Sequence, residues 1–264
     1  METNVVSILI VHYNCVDHLE RCLRSIEDCA LPVNSEIIVV DNGSRDPGAV
    51  SRLCSRCGRE VKTIFNPVNL GLARAANQAA LLAGGNYLLN LNPDVEVRKD
   101  SVIELVRFLD NHPRAAIVFP KLLNPDGSIQ LSCRTHYDLI TVLLRRTPLG
   151  RIYRARVRNH LMEDWDHGSV REIDWGLGAA FMVRREALKK SRLFDDRFFL
   201  YMEDVDLCLT LRRLGWSVYY APVSRMVHHH RRESGTNPWS RANWEHMKSF
   251  VRFSFKHGLN TRNI

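Results

Sequence analysis

Short apolar runs alternate with helix-like segments through the first half of the chain, and this alternation constrains the fold more than any other feature. Val5–Val11, Ile37–Val40 and Tyr87–Leu91 are mostly apolar, as expected for strands that are covered on both faces. The segments between them, such as DHLERCLRSIEDC and GLARAANQAALLAGG, have the apolar spacing or the alanine content of helices. Strands that alternate with helices predict an α/β fold with a parallel sheet built from βαβ units.

The second half of the chain is less regular, and the sequence contains no internal repeat, low-complexity tract or linker. We therefore expect a single domain over residues 1–264. The elements predicted for the second half are a turn at Asn124–Gly127, strands at Phe181–Val183, Trp216–Tyr220 and Val223–Val227, a helix within Met202–Leu214, and a closing helix at Trp239–His257.

The chain carries 37 Lys and Arg against 29 Asp and Glu, a net charge of +8. This excess suits an anionic partner, which charge alone leaves open: a nucleic acid, an anionic membrane surface or a phosphorylated substrate. Arg145–Arg158 is strongly basic and predicts a loop or a surface helix. The sequence shows neither a signal peptide nor an apolar run of roughly 20 residues that would span a membrane, so we expect a cytoplasmic protein.

The seven cysteines form no disulfide framework, which fits a reducing compartment. Cys54 and Cys57 form a CxxC motif, but no second pair stands at zinc-finger spacing. Cys15, Cys22 and Cys29 recur every seven residues, which predicts that they lie near one face of a helix.

Polar clusters follow three of the predicted strands, namely His12–Asn14, Asp41–Ser44 and Asn92–Asp94. In parallel sheets ligands bind outside the carboxyl ends of the strands, so three clusters at one edge favour a binding site there. Asp41 has the right position to accept a hydrogen bond from a ribose or a base, although a helix cap or turn is an alternative. Asp94 suits a hard cation such as Mg²⁺, which needs few protein ligands when a diphosphate supplies others.

Two further segments carry candidate chemistry. Asn69–Asn77 combines small residues with a helix start, which favours phosphate, and Arg74 could contact a diphosphate; tight helix packing is the alternative. Glu203, Asp204 and Asp206 follow an aromatic run, and adjacent acids at a helix start can serve as a base and an orienting group. Acids that complement the helix dipole are the alternative, above all for Asp206.

Three histidines, His228–His230, follow the strand predicted at Val223–Val227. Imidazoles can complete a metal site or bind phosphate, and alternation along a strand allows at most two of them to share a face. A basic surface patch with Arg231 and Arg232 is the alternative.

Seven stretches, in this order, resemble the family 2 glycosyltransferases, and specifically the rhamnosyltransferase-like group. They are SILIVHYN, IIVVDNGS, NPVNLGLARAANQA, YLLNLNPDV, WGLGAAFMVRREA, FDDRFFLYMEDVDLCLTLRRLGW and VHHH, and they extend from about Val6 to about His230. The resemblance implies a GT-A type α/β fold, with a single Rossmann-like, mostly parallel sheet flanked by helices and a more irregular C-terminal half. It assigns residues 1–115 to the nucleotide sugar, 116–235 to the sugar acceptor and catalysis, and 236–264 to a C-terminal helix.

The resemblance also implies an activity: inverting transfer of a sugar, commonly rhamnose from dTDP-rhamnose, to a glycan or lipid-linked saccharide, with Mg²⁺ or Mn²⁺ as cofactor. Position by position, it assigns nucleotide-sugar contacts to Tyr13, Asn14, Asp41, Asn42, Asn69, Gly71, Arg74, Asn77 and Asn92. It assigns sugar-acceptor contacts to Trp175, Gly178 and Glu203, and the role of general base to Asp204, with Glu203 beside it. The metal ligands that it implies are Asp94 and His228 or its neighbour. Asn92 stands where the family has an Asp, which predicts a loosely held metal. The basic surface is then expected to face an anionic membrane at its inner side, without nucleic acid.

Other functional classes fit the sequence less well. A Rossmann dehydrogenase would carry GxGxxG after the first strand, and none is present there. A nucleotidyltransferase would carry a Gly-rich phosphate loop in place of His12–Cys15. A nucleic-acid-binding protein is compatible with the charge, but no recognition-helix or RNA-binding motif accompanies it.

Overall fold

The computed structural model describes residues 6–32, 34–136, 152–229 and 241–258. The strands in these ranges are β1 (Val6–His12), β2 (Glu36–Asp41), β3 (Val61–Phe65), β4 (Tyr87–Leu91), β5 (Val95–Val97), β6 (Ala115–Leu123), β7 (Cys133–Arg134), β8 (Arg171–Glu172), β9 (Trp175–Gly176), β10 (Ala180–Arg184) and β11 (Ser217–His228). The helices are α1 (Val16–Glu27), α2 (Pro47–Arg56), α3 (Leu72–Leu82), α4 (Ser101–Asn111), α5 (Arg154–Leu161), α6 (Glu203–Arg213) and α7 (Arg241–His257), with a 3-10 helix at Arg185–Lys190.

Nine of the described strands form one large mixed sheet in the order β3-β2-β1-β4-β10-β6-β11-β5, with β8 also paired to β11, and β7 pairs with β9 in a separate two-stranded sheet. The first four of these strands are parallel, and β6 and β11 are parallel to each other. β10 runs antiparallel between β4 and β6, and both β5 and β8 run antiparallel to β11. The predicted α/β sheet is therefore confirmed as mostly parallel, with antiparallel strands that the alternation pattern does not reveal.

Both faces of the sheet are covered, which explains the unbroken apolar strands. Ile8 and Ile10 of β1 face the buried side of α1, whereas Leu9 points to the opposite face and packs with α3. The buried residues of α3 are mainly alanines, and their short side chains allow this helix to lie close against the sheet. This close approach positions the loop before α3 next to the end of β2.

Several local predictions are confirmed and several need correction. The turn at Asn124–Gly127 is a hairpin tip, and the closing helix is α7. The polar segment after Arg45 contains α2, a helix that the apolar spacing does not predict; Asp46 caps it by accepting from the N–H of Ala49 at 2.9 Å. The two strands predicted between Trp216 and Val227 are one strand, β11, with register shifts on its β6 side.

The cysteine prediction is only partly right. Cys22 is buried in α1, but Cys15 precedes the helix and Cys29 follows it. The strongly basic segment is described only from residue 152 onward, where part of it forms α5, so the rest of that prediction lies outside the described residues. Within the described ranges, no helix combines the length and the apolar character needed to cross a bilayer.

Candidate active site

The fold gathers the predicted polar clusters at one edge of the sheet. β1, β2 and β4 end at this edge, and β10 begins there because it is antiparallel to β4. His12 pairs with Asp41 across the ends of β1 and β2. The backbone N–H of Asn92 donates to the carbonyl of Ala179 at 2.8 Å, which joins the end of β4 to the residue before β10. The prediction that the three clusters share an edge is confirmed.

Asp41 is buried at the end of β2, and two side chains hold its carboxylate. Oδ1 accepts hydrogen bonds from His12 Nδ1 at 3.0 Å and from the hydroxyl of Ser44. His12 Nε2 accepts from the N–H of Cys15 at 3.0 Å, so the neutral ring carries its proton on Nδ1. These bonds fix the orientation of the Asp41 carboxylate, which a site for a nucleoside requires.

Tyr13 and Asn14 form the turn after β1. Asn14 has a left-handed backbone with φ 53°, which Asn tolerates better than most residues. Its N–H donates to Ser44 Oγ at 2.9 Å, and its Oδ1 accepts from the N–H of Arg45 at 2.9 Å. Asn14 therefore ties the turn after β1 to the loop after β2, while the ring of Tyr13 is 46% exposed and able to stack on a ligand.

Asn42 is a support for the loop that precedes α3. Its Oδ1 accepts from the N–H of Leu70 at 3.0 Å and from Asn66 Nδ2 at 3.1 Å. Its Nδ2 donates to Asn69 Oδ1 at 3.0 Å, and the same oxygen accepts from the N–H of Gly71 at 2.9 Å. Both ends of the Asn42 amide are thus used inside the protein, so Asn42, Asn69 and Gly71 shape the loop that borders the site.

Arg74 and Asn77, both on α3, have different environments. Arg74 is exposed in the first turn of the helix, where a side-chain cation can reach a ligand at the sheet edge. Asn77 is buried, with Nδ2 donating to the carbonyl of Phe194 at 2.8 Å and to Asp196 Oδ1 at 2.6 Å. The structure therefore does not bring Asn77 into the cluster; its amide instead joins α3 to the segment that leads to α6.

Asp94 and His228 face each other at the far side of the edge. Because β5 pairs with β11, the residue before β5 lies beside the end of β11, and Asp94 Oδ2 is 3.4 Å from His228 Nε2. Gln130 Oε1 lies 2.7 Å from His228 Nδ1 and accepts its proton, which turns the Nε2 edge of the ring toward Asp94. Burial alone would raise the pKa of Asp94, but the hydrogen bond and the charge of His228 outweigh it and lower the pKa.

This pair fits a divalent cation held in part by substrate. Carboxylate oxygen and imidazole nitrogen are both metal ligands, and a hydrogen-bonding group such as Gln130 typically orients a metal-binding histidine. Across the described ranges, no three His, Cys, Asp or Glu side chains converge as a metal cluster, so a cation would take further ligands from a diphosphate and water. His229 Nε2 lies 2.8 Å from Glu96 Oε1 instead, and His230 falls outside the described residues.

Glu203 and Asp204 begin α6 and have different environments. Asp204 Oδ2 accepts from the N–H of Gly178 at 2.9 Å, and its Oδ1 accepts from the N–H of Val205 at 2.8 Å. Glu203 is buried, and within the described part of the chain its Oε2 has no hydrogen-bond partner. Burial raises the pKa of both carboxyls, and the charge of Asp204 raises that of Glu203 further.

The two backbone donors lower the pKa of Asp204 and partly oppose the effect of burial. Asp204 therefore ionises before Glu203, which keeps its proton. A pair of acids with separated pKa values is the arrangement that a base beside a neutral hydrogen-bonding group requires. The chain enters α6 through Tyr201 and Met202, whose φ angles of 68° and 72° are unusual for such side chains.

Gly178 borders this acid pair, and Trp175 lies three residues before it in the chain. A Cβ at Gly178 would lie 3.2 Å from the Cβ of Asp204, so the glycine allows the strand and the helix start to approach closely. Trp175 is buried in β9, and its Nε1 donates to the carbonyl of Thr135 at 3.0 Å. Asp206 points elsewhere: it accepts from Lys256 and His257 of α7, at 2.8 Å and 2.6 Å, contacts that the alternative of a helix-dipole role does not predict.

Three supporting residues are not predicted by the sequence patterns. His12 belongs to a polar cluster, but nothing in the sequence indicates that it and Ser44 both bind Asp41. Gln130 stands 98 positions from His228 in the sequence, and only the hairpin that follows β6 brings it to the end of β11. The one sequence signal for Gln130 is that it is a polar residue that follows the predicted hairpin turn at Asn124–Gly127.

Comparisons with known proteins identify the relatives of this chain. The family described as "Glycosyl transferase family 2" matches residues 7–191. The N-acetylglucosaminyl-diphospho-decaprenol L-rhamnosyltransferase of Mycobacterium tuberculosis is 29% identical over 97% of this chain and 86% of that protein. Rhamnosyltransferase WbbL of Escherichia coli K12 is 24% identical over 98% of this chain and 97% of its own length.

The fold has solved counterparts as well. The structure of GalNAc-T7 with UDP, GalNAc and Mn²⁺ superposes with a TM-score of 0.68 at 19% identity, covering 96% of this chain and 48% of that one. This chain thus spans about half of that protein, and the likeness concerns the fold, which is of the GT-A type. With the family match extending from β1 through the 3-10 helix that follows β10, the chain belongs to glycosyl transferase family 2.

Proposed function

We propose that this chain is an inverting, cation-dependent rhamnosyltransferase that transfers rhamnose from dTDP-rhamnose to a hydroxyl of a glycan or lipid-linked saccharide. The observation that carries the proposal is the placement of Asp204, which Gly178 holds at the sheet edge shared with Asp41 and Asn92. The two relatives named rhamnosyltransferases support the choice of sugar. The relative from M. tuberculosis also supports a lipid-linked sugar acceptor.

The division of labour within the site follows from the environments of the acids. Asp204, the acid that ionises first, accepts the proton of the sugar-acceptor hydroxyl. The oxygen of that hydroxyl forms a bond to the anomeric carbon on the face opposite the nucleotide, the bond to the diphosphate breaks, and dTDP leaves. Glu203 stays protonated and can donate a hydrogen bond to the incoming sugar. General-base catalysis of this kind contributes about 10²–10⁴-fold.

Asp94 and His228 are the residues that would hold Mg²⁺ or Mn²⁺, with Gln130 orienting the imidazole. The bound cation supplies neutralisation of the charge on the departing diphosphate. Asn92 is a weak neutral ligand where the family has an acid, so nucleotide and cation should bind together rather than separately. Asp41 would contact the nucleoside, Tyr13 would stack on it, and Arg74 would reach the diphosphate.

Thermal stabilisation by nucleotides tests this proposal without knowledge of the sugar acceptor. UDP, GDP and dTDP are each compared with Mn²⁺, Mg²⁺ or chelator. A ligand at about 100 times its dissociation constant stabilises by about 2.7 kcal/mol, which is readily measured. We expect a cation-dependent shift with dTDP. A shift with UDP or GDP alone would show that the sugar donor carries that nucleotide instead of dTDP. No shift with any nucleotide would contradict the proposed function.

A further inference from the structure

A stripe of apolar side chains faces solvent along α7. Trp244, Met247, Val251 and Phe255 are 57%, 49%, 44% and 89% exposed. Their spacing of three, four and four residues places them within a sector of about 80° on a helix that turns about 100° per residue. We call these four residues the α7 stripe. Scattered exposed apolar residues are ordinary, but a continuous row on one helix face marks an interaction surface.

The opposite face of α7 is already used for packing. Phe253 is buried in the main core, and the buried Ser249 donates its hydroxyl to the carbonyl of Leu200 at 2.8 Å. His257 and Lys256 bind Asp206 of α6. The helix is therefore anchored to the body of the protein by one face, and the α7 stripe is a second apolar face.

The charges around the stripe are asymmetric. Lys248 and Arg252 lie beside it on the helix, and Arg192 and Arg197 belong to the segment on which α7 packs. Each of Arg192, Arg197 and Lys248 is far more exposed than the acid that it pairs with. The acids thus lie inward and the cations outward, so this side of the molecule presents apolar rings beside positive charge.

We propose that the α7 stripe docks onto an anionic lipid bilayer, with its rings at the level of the headgroups and the adjacent cations on the phosphates. Charge decides the occupant. In a symmetric pairing of two copies, the same cations would face each other and repel, whereas an anionic surface neutralises them. A helix with an apolar face flanked by Lys and Arg is typical of interfacial binding.

The helix that carries the α7 stripe adjoins the candidate site through its packed face. The rings of His246 on α7 and of Tyr201 before α6 are 5.0 Å apart, and Tyr201 is two residues from Glu203. A docked helix would therefore hold the start of α6 near the bilayer. If the proposed function is right, this is where a lipid-linked sugar acceptor would meet Asp204, but the docking itself needs no nucleotide and no transfer.

Vesicle flotation tests the docking. The vesicles are phosphatidylcholine alone or mixed with phosphatidylglycerol, at low and at high salt. We expect the protein to float with the anionic vesicles at low salt, and less so at high salt because of screening. Trp244→Ser with Phe255→Ser should weaken binding at least tenfold, since both variants remove a large apolar ring from the surface that docks. Leu81→Ser, at a position on α3 that is 85% exposed, is the matched control and should bind as the parent does.

Three results would overturn the proposal: no binding to anionic vesicles, equal loss in the Leu81→Ser control, or undiminished binding of the double variant. Analytical ultracentrifugation of the same proteins tests the alternative that a second copy of the chain covers the stripe. A parent dimer that becomes monomeric in the double variant, without vesicle binding in either, would assign the stripe to a second copy. Nucleotide-induced thermal shifts of the variants are read separately, so failure of docking and failure of the proposed function are distinguished.

Discussion

The backbone N–H of Gly178 donates to Asp204 Oδ2 at 2.9 Å, and this bond joins the start of β10 to the first turn of α6. Strand β4, which pairs with β10, ends just before Asn92. The N–H of Asn92 donates to the carbonyl of Ala179, the residue after Gly178. The candidate base and the candidate metal-binding turn are thus attached to neighbouring backbone positions. Their relative placement depends on sheet geometry, which is rigid, and little on long side chains.

Replacement of Gly71 by alanine should destabilise the protein strongly. Gly71 has φ +88°, and a Cβ there would lie 2.6 Å from the carbonyl oxygen of Phe199, so the segment before α6 would have to move. Gly127 has φ +83° with nothing within 4 Å of a Cβ, which makes Gly127→Ala a control for the backbone cost of about 1–2 kcal/mol. Urea unfolding should show a clearly larger loss for Gly71→Ala, because Gly71 also has ψ 160°, a backbone region that is open almost only to glycine; equal losses would mean that neither this region nor the contact with Phe199 adds a cost.

Glu203→Gln should make stability less dependent on pH. Burial and the charge of Asp204 raise the pKa of Glu203 above the ordinary value of about 4.3. As pH rises above that value, the unfolded chain releases the proton while the folded protein retains it, so the parent loses stability and the Gln variant does not. The variant should gain more than about 1 kcal/mol relative to the parent between about pH 5 and pH 8.

The comparison is made by urea unfolding at both pH values, with Glu186→Gln, an exposed acid, as the control. The control should differ from the parent by the same amount at both pH values. A Glu203→Gln variant that behaves like the control would contradict the assignment of a buried, protonated Glu203.

Gln130→Ala should weaken cation binding without touching a metal ligand. Gln130 accepts the Nδ1 proton of His228, and loss of such an orienting partner typically costs about 10–100-fold in metal affinity. The measurement is a Mn²⁺ titration in the presence of dTDP, in which thermal stabilisation of the protein reports the binding. Asp126→Asn, on the same hairpin turn, should bind Mn²⁺ as the parent does. Unchanged affinity in Gln130→Ala would argue against His228 as a ligand.

Asp206→Ala should loosen the attachment of α7 to α6. The buried Asp206 carboxylate accepts from Lys256 and His257, and its removal deprives both donors of this acceptor. We expect a loss of about 2–3 kcal/mol in the free energy of unfolding, because Lys256 is partly exposed and recovers some hydration. Glu60→Ala, at an exposed acid, should change it by no more than about 0.5 kcal/mol. A loss as small as in that control would show that the Asp206 contacts contribute little to holding α7 in place.

The sequence predicts the elements whose chemistry is local. Parallel strands bring their carboxyl ends to one edge, so the strand pattern alone is enough to expect Asp41 and Asp94 at the same edge of the sheet. The cap at Asp46 is also local, since Asp46-Pro47 is a typical helix start, although the apolar spacing of the segment does not indicate a helix. The motifs quoted for the family are sufficient for the fold class.

What the sequence does not show depends on long-range contacts. The family resemblance assigns the Asn77 amide to the nucleotide sugar, but Phe194 and Asp196, more than a hundred residues away in the chain, are its hydrogen-bond partners. The antiparallel direction of β10 is invisible in the sequence because a five-residue strand pattern carries no direction. The exposed face of α7 is predicted only as part of an amphipathic helix, since the sequence does not say which of two apolar faces docks.

The most direct test of the account is a comparison of Asp204→Asn with the parent in two assays. One is dTDP release from dTDP-rhamnose in the presence of a short-chain N-acetylglucosaminyl-diphospho-lipid, and the other is dTDP affinity with Mn²⁺. Loss of the general base should slow release by at least about 100-fold while dTDP affinity stays unchanged. A folded Asp204→Asn protein that turns over at the parent rate, or that no longer binds dTDP, would contradict the assignment of Asp204 as the base.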